Sequence, residues 1–431
     1  MNNIACSSDV LNKWLTILIY LITPFAFVIN IYFFIILIIM QCLIILMSKK
    51  KYADKFLIIL LNSLLYSGIS ILGLRLYDWI IIFVFIWLII AQKGHVKIQF
   101  RFIGFLLGVV FVFIYHGMPS NEVLEVVRYL ISVILVIIIL NITPNLNNIT
   151  EYIMRICLAN LYNAIVICVL MTLGWIHNYT FSFFSTNIYI YSGELRMNGF
   201  FSDPNKYMTF ALAMIVLVDI FVENVEYKRR IIVLLSLSAI LSLSRTAILC
   251  LGIYYVLKLI RYLQVRDFRL FYITIVVLAI LIVCLLFFPD MINTMLNNLF
   301  IFAANILGRQ KTIEINATVQ SDNRVIIWKM AREYIVRKPI LGNGWMAYSE
   351  LLPYPTHNTI ISLLLDGGIV MLGIYIYTFW FLYTYKRYDV VIPCVIIPSL
   401  FLDLGNYRMW FLLLAMIILK RQKDKECEFK N

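Results

Sequence analysis

The sequence predicts an all-α polytopic membrane protein, and three observations carry that prediction. Hydrophobic residues fill 63% of the 431 positions and charged residues only 14%, against roughly 45–50% and 25% in soluble domains. The apolar residues recur in blocks of about 15–25, the length that crosses a hydrocarbon layer about 30 Å thick. Lysine and arginine fall in short clusters between blocks, not along one basic face. The net charge of +13 therefore reports orientation in a lipid bilayer and argues against a nucleic-acid partner.

Taken in order, the expected spans are Leu11–Ile29, Ile31–Met47, Phe56–Leu74, Trp79–Ala91, Phe102–Tyr115, Tyr129–Leu140, Ile153–Leu173, Tyr207–Val222, Ile231–Leu243, Thr246–Leu259, Leu270–Phe288, His357–Tyr383, Val390–Phe401 and Trp410–Leu419. The first two share one apolar run containing Pro24 and Asn30, so a single tilted helix is the alternative there, and the total is about 12–14. With fourteen spans the clusters Lys49–Lys51 with Lys55, Lys93–Arg101, Lys228–Arg230, Lys258–Arg269, Lys386–Arg387 and Lys420–Lys430 share one face. That face and both termini are expected to be cytoplasmic.

Two loops, Gly174–Lys206 and Pro289–Thr356, then stand outside. The chain divides into a membrane part over 1–288, a large external loop over 289–356 and C-terminal spans with a cytoplasmic tail over 357–431. Inside the loop, Val325, Trp328, Ala331 and Ile335 recur at helical spacing with Arg324, Arg332 and Arg337 interleaved. An amphipathic helix over Asp322–Lys338 at the outer interface is expected, stopped by Pro339 and followed by a tight turn at Gly342 and Gly344.

Several external residues could carry chemistry. Arg245 interrupts an apolar stretch and is either a turn-capping arginine reaching for the interface or an anion ligand, for which a guanidinium offers a two-pronged, permanently charged fork. Arg196–Asn205 packs a cation, a glycine and a helix start into ten residues; Ser202 or Asp203 could cap that helix with Pro204 at its first position. The stretch is either an anion site or a loop re-entering the bilayer. His357 and Asn358 open another span, which places an imidazole at the external surface as a structural group or as a general base. Asp78 beside Arg75 and Glu125 beside Arg128 read as exposed pairs worth little. The chain has no Asp-x-Asp pair, no phosphate-binding loop motif and no His-Glu-x-x-His; no metal and no cofactor is expected.

The order of these signals resembles the O-antigen polymerase and ligase superfamily of bacterial envelope polysaccharide assembly. The resemblance spans about Arg196 to Gly368. It rests on Arg-x-Asn-Gly-Phe-x-x-Asp-Pro-Asn (Arg196–Asn205), the Ser244-Arg245 step, Arg324 with Trp328, Pro339–Gly344, His357-Asn358 and Gly367-Gly368. It implies a metal-independent glycosyltransferase in the bacterial plasma membrane, acting outside on undecaprenyl-pyrophosphate-linked glycans as donor and acceptor, with a chain-length-regulating co-polymerase as a possible partner. Arg196, Arg245 and Arg324 would hold the departing pyrophosphate and His357 would orient or deprotonate the acceptor hydroxyl. Asn198, Asp203, Asn205, Trp328 and Asn358 would support substrate binding. A polymerase is favoured over a ligase acting on lipid A core, because the tyrosine- and asparagine-rich outer loops look tailored to one glycan and nothing marks a lipid A site. A flippase for the same lipid-linked glycan and a membrane scaffold are the competing classes.

Overall fold

A computed structural model describes residues 2–173, 180–181, 186–187, 197–266 and 326–428, except residues 49, 72, 94, 120, 121, 143, 145, 202 and 243. The expected span Leu270–Phe288 and the loop up to residue 325 lie outside these. Helices dominate: α1 (Asn2–Ile29), α2 (Ile31–Met47), α3 (Tyr52–Ser63), α4 (Leu76–Ala91), α5 (Phe100–Tyr115), α6 (Val123–Ile142), α7 (Leu146–Thr172), α8 (Pro204–Phe221), α9 (Val225–Leu241) and α10 (Arg245–Arg266). After the undescribed stretch come α11 (326–337), α12 (Tyr348–Leu351), α13 (Thr359–Tyr383), α14 (Tyr388–Phe401, with a π turn at Ile392–Ile396) and α15 (Arg408–Glu428). Among the described residues the strands are two antiparallel pairs of two residues each, β1 (Ser70–Ile71) with β2 (Leu74–Arg75) and β3 (Thr180–Phe181) with β4 (Thr186–Asn187).

Among the described residues five helices are long and apolar enough to cross a bilayer, and five shorter apolar ones accompany them. The chain is an all-α polytopic membrane protein, as the apolar blocks predict. Helices suit lipid because every backbone group pairs within its own segment. The first apolar run is two helices and not one: Asn30 leaves the helical conformation, its Oδ1 accepts from Tyr32 N–H at 2.7 Å, and α2 folds back on α1. Between them and α3 runs a buried polar chain. Tyr20 donates to Asn62 (2.8 Å), Asn62 to Gln41 (2.8 Å) and Gln41 to Thr23 (3.3 Å). Such contacts act as glue where no hydrophobic force draws helices together.

The third span ends earlier than expected. α3 stops at Ser63, and the chain turns through Leu64–Tyr66 and the β1–β2 hairpin before α4 begins. Gly68 N–H donates to the Phe200 carbonyl at 2.8 Å, so this stretch is held against the 197–203 segment.

Members of three of the basic clusters predicted to share a face, Lys228, Lys258 with Arg261, and Arg387, meet at one end of the bundle. There Asp219 of α8 and Asp389 of α14 are buried and bind Lys258, Arg261 and Arg387. Lys258 reaches Asp219 at 2.7 Å and Asp389 at 3.1 Å, Arg261 reaches Asp389 at 2.6 Å, and Arg387 pairs with both carboxylates. The clamp ties α8, α10 and α14 together at the end remote from His357.

The amphipathic helix is present as α11. Ile327 and Ala331 are buried with Trp328, Tyr334 and Ile335 packed beside them, whereas Lys329, Arg332, Glu333 and Arg337 are exposed. The turn after Pro339 does more than connect. Span α13 is broken at Gly368 (φ 64°, ψ −163°), and the 339–344 backbone fills the break: Asn343 N–H donates to Leu365 (2.8 Å), Gly344 N–H to Asp366 (2.9 Å) and Ile369 N–H to Pro339 (2.9 Å). Irregular backbone at membrane depth is tolerated where protein satisfies it. Trp345 follows the turn as a wedge, 1% exposed, donating from Nε1 to the Val109 carbonyl of α5 at 3.1 Å and lying 4.9 Å from the Tyr129 ring.

Candidate functional site

The N-terminal ends of α4, α6, α8, α13 and α15 gather with α12 at the end opposite the Asp219–Asp389 clamp. Two were legible as helix starts. Asp203 caps α8, its Oδ1 accepting from Asn205 N–H at 2.5 Å with Pro204 at the first position. Asn358 caps α13, its Oδ1 accepting from Ile360 and Ile361 N–H at 3.0 Å each and its Nδ2 donating to the Leu400 carbonyl at 2.9 Å. Both side chains are therefore committed to backbone.

His357 precedes that cap with φ +49°, in the left-handed region. A non-glycine residue there is uncommon and marks a position the surroundings over-determine. The imidazole is half-buried. Its neighbour Thr356 is fixed on two sides. The Thr356 carbonyl accepts from Trp328 Nε1 at 2.8 Å, which pins α11 to the start of α13. Its hydroxyl lies 2.6 Å from Ser362 Oγ, which in turn donates to Asp403 Oδ2 at 2.7 Å. The Thr356 hydroxyl also donates to the Asn358 carbonyl at 3.2 Å.

Asp403 lies in the 402–407 connection between α14 and α15. It retains accessible surface, yet protein surrounds it densely enough that burial pushes its carboxyl up to about 6, with Glu125 adding to the rise and the Ser362 hydrogen bond opposing it. Around Asp403 stand Glu125, Arg128, Lys206, Tyr348 and, deeper in α13, Asp366. Asp366 accepts from Ala347 N–H at 3.1 Å, immediately before the Gly367-Gly368 break. A carboxylate inside a span is a mark of function. Glu122, buried under the Gly344–Trp345 turn, has its carboxyl pushed up by the same desolvation.

The pairs expected to be exposed are not. Asp78 is fully buried and accepts from Arg408 Nε at 3.0 Å, with Arg408 itself 3% exposed; its other oxygen accepts from Arg75 N–H at 3.1 Å. Glu125 pairs with Arg128 at 3.2 Å and also accepts from Asn406 Nδ2. Glu125 and Arg128 pair as expected, whereas Arg408 and Asn406 come from the far end of the chain and were not legible from sequence neighbours. A charge inside an apolar block, as at Asp78 and Arg408, is the signal that could have found them.

Of the other expected site residues, Arg196 and Arg324 lie outside the described residues, and Arg245 is described as the first residue of α10 by its backbone alone. Met197 N–H donates to the Leu241 carbonyl at 3.1 Å, which joins the 197–203 segment to the same end of α9. Asn198 is buried beneath Phe201, and Asn205 is half-buried with its carbonyl accepting from Thr209. His357, Asn358, Trp328, Asp203 and Asn205 thus share one end of the bundle.

Residues 231–376 match the family model Wzy_C, described as O-Antigen ligase. The match runs from α9 through the docking turn to just past the Gly368 break, and takes in Arg245, Arg324, Trp328, His357 and Asn358. No significant match was found among curated proteins or among solved structures. The family is one of glycosyl-transfer enzymes working on lipid-linked glycans in a membrane, and the match over residues 231–376 supports the O-antigen polymerase and ligase superfamily for that part of the chain.

Proposed function

We propose that the protein is a polymerase joining undecaprenyl-pyrophosphate-linked oligosaccharide repeat units into O-antigen or capsular polysaccharide on the outer side of a bacterial plasma membrane. The observation that carries this reading is His357, held in a left-handed conformation beside Thr356, which is joined through Ser362 to Asp403, with the charge of Lys206 acting on Asp403 and that of Arg128 on Lys206. Orientation follows from charge: the opposite end bears the lysine and arginine clusters, which face the cytoplasm by the positive-inside rule together with both termini.

In the proposed reaction a hydroxyl oxygen of the acceptor glycan attacks the anomeric carbon of the donor. The bond from that carbon to the pyrophosphate oxygen breaks, the leaving group takes the electron pair, and the hydroxyl proton passes to His357. Arg196, Arg245 and Arg324 stabilise the negative charge that develops on the pyrophosphate, a role that guanidinium groups fill without a metal ion. Asp203, Asn358 and Trp328 act by placing backbone, since their hydrogen bonds are spent on it; Asn198 and Asn205 complete the wall beside α8. A co-polymerase that sets chain length would act on this product.

The test is genetic. Deletion of the gene should collapse surface glycan to single repeat units, and wild-type sequence but not His357→Ala or Arg245→Ala should restore the ladder with equal protein in the membrane. Long lipid-linked polymer left unattached would identify a ligase instead. Full polymer from either variant would contradict the proposal.

A further inference from the structure

The reading above uses Arg196, Arg245 and Arg324 for one pyrophosphate and leaves a second cation set unassigned. Arg75 ends β2, Arg128 lies early in α6 and Lys206 in the first turn of α8. The 403–408 connection gathers all three. Tyr407 donates to the Lys206 carbonyl at 3.5 Å. The next residue, Arg408, binds Asp78, whose second oxygen holds the backbone of Arg75. The preceding residue, Asn406, donates to Glu125, the partner of Arg128.

Among the described residues neither Arg75 nor Lys206 forms an ion pair within 4.0 Å, while Asp78 is taken by Arg408 and Glu125 by Arg128. The charges of Arg75 and Arg128 both act on Lys206, opposed by those of Asp203 and Asp403. Like charges held together in surroundings less polar than water repel, and the arrangement is relieved when an anion enters. All three cations keep accessible surface. One lipid diphosphate does not call for both sets of cations. A reaction that joins two lipid-linked glycans brings two diphosphates to the membrane surface at once.

We propose that Arg75, Arg128 and Lys206 form a second anion subsite, which holds the diphosphate of the lipid-linked acceptor. The proposal rests on the polymerase reading and narrows it, because an acceptor such as lipid A core carries no polyprenyl diphosphate. During transfer only the donor's glycosyl–phosphate bond breaks; the acceptor's diphosphate enters and leaves the second subsite intact.

The experiment counts bound lipid. The full chain in detergent micelles is titrated with a glycan-free polyprenyl diphosphate and read by native mass spectrometry. Wild type should bind two molecules, and Arg75→Gln and Lys206→Gln should each weaken one of the two at least tenfold while melting as wild type does. Arg245→Gln should weaken the other, so that its combination with Lys206→Gln loses both. A single bound molecule in wild type, or two retained undiminished in Arg75→Gln and Lys206→Gln, would overturn the subsite while leaving the polymerase reading intact. Displacement of the second molecule by phosphatidylglycerol at equal concentration would also overturn it, by assigning the cations to phospholipid headgroups. Two bound molecules in a chain that makes no polymer would uphold the subsite and overturn the polymerase reading.

Discussion

The carbonyl of Ile340 occupies the space that a side chain at Gly368 would need. One residue lies in the loop beyond α11 and the other inside a span, and this contact seats the loop in the broken helix. Gly368→Ala must therefore both strain a left-handed backbone and push the loop away. The expected loss is about 1–3 kcal/mol of stability from the backbone alone, seen as a lower melting temperature and faster proteolysis between residues 326 and 356. Ala at Gly373, where a Cβ meets nothing within 4 Å, is the control and should melt as wild type does.

Trp345 fastens the same turn from the other side. Trp345→Ala removes a fully buried ring and its hydrogen bond to Val109, and should cost about 3–5 kcal/mol if the site does not collapse. Trp345→Phe keeps most of the packing and should lose far less. Chemical denaturation in detergent separates the two.

Asp78 and Arg408 form a buried ion pair between residues 330 positions apart. Breaking it from one side strands the other charge, so Asp78→Leu or Arg408→Met alone should destabilise by about 3–5 kcal/mol. The double variant Asp78→Leu/Arg408→Met should recover most of that loss. Melting temperatures of the three variants check this; a double variant no better than either single would show that the pair has a role beyond mutual neutralisation.

Asp403 sets an unusual pH dependence. Its folded-state carboxyl titrates at about 6 against an ordinary value of 3.8, so the folded state binds the extra proton over that interval. By linkage its contribution to stability is fully present below about pH 4 and is lost as pH rises towards 6. Asp403→Asn should flatten this part of the melting-temperature profile. Ser362→Ala, which removes the hydrogen bond favouring the ionised form, should move the loss to higher pH.

Much of the membrane architecture was legible because lipid leaves few solutions. Long apolar blocks become helices, and Asn30, Asp203 and Asn358 punctuate them by accepting backbone N–H groups at their starts. The α11 pattern, its Pro339 stop and the glycine turn were also readable, since each is local. What the turn does was not. Nothing near Gly342 says that its backbone pairs with Leu365 and Asp366, and Gly367-Gly368 within an apolar run gives no sign of what fills the break. The cluster around Asp403 was missed for the same reason: Asp403, Ser362, Lys206 and Arg128 become neighbours only when five helix ends meet. His357 stood out in the sequence because a lone imidazole opening a span is rare; its strained backbone adds a physical reason to assign it work.

The most direct test of the account is a reconstituted reaction with purified chain and one lipid-linked repeat unit in liposomes, resolved by size. Wild type should give a ladder of lipid-linked oligomers and His357→Ala none, with free polyprenyl pyrophosphate released one for one with each bond formed. A ladder of normal length from His357→Ala, in a protein that melts as wild type does, would contradict the central claim.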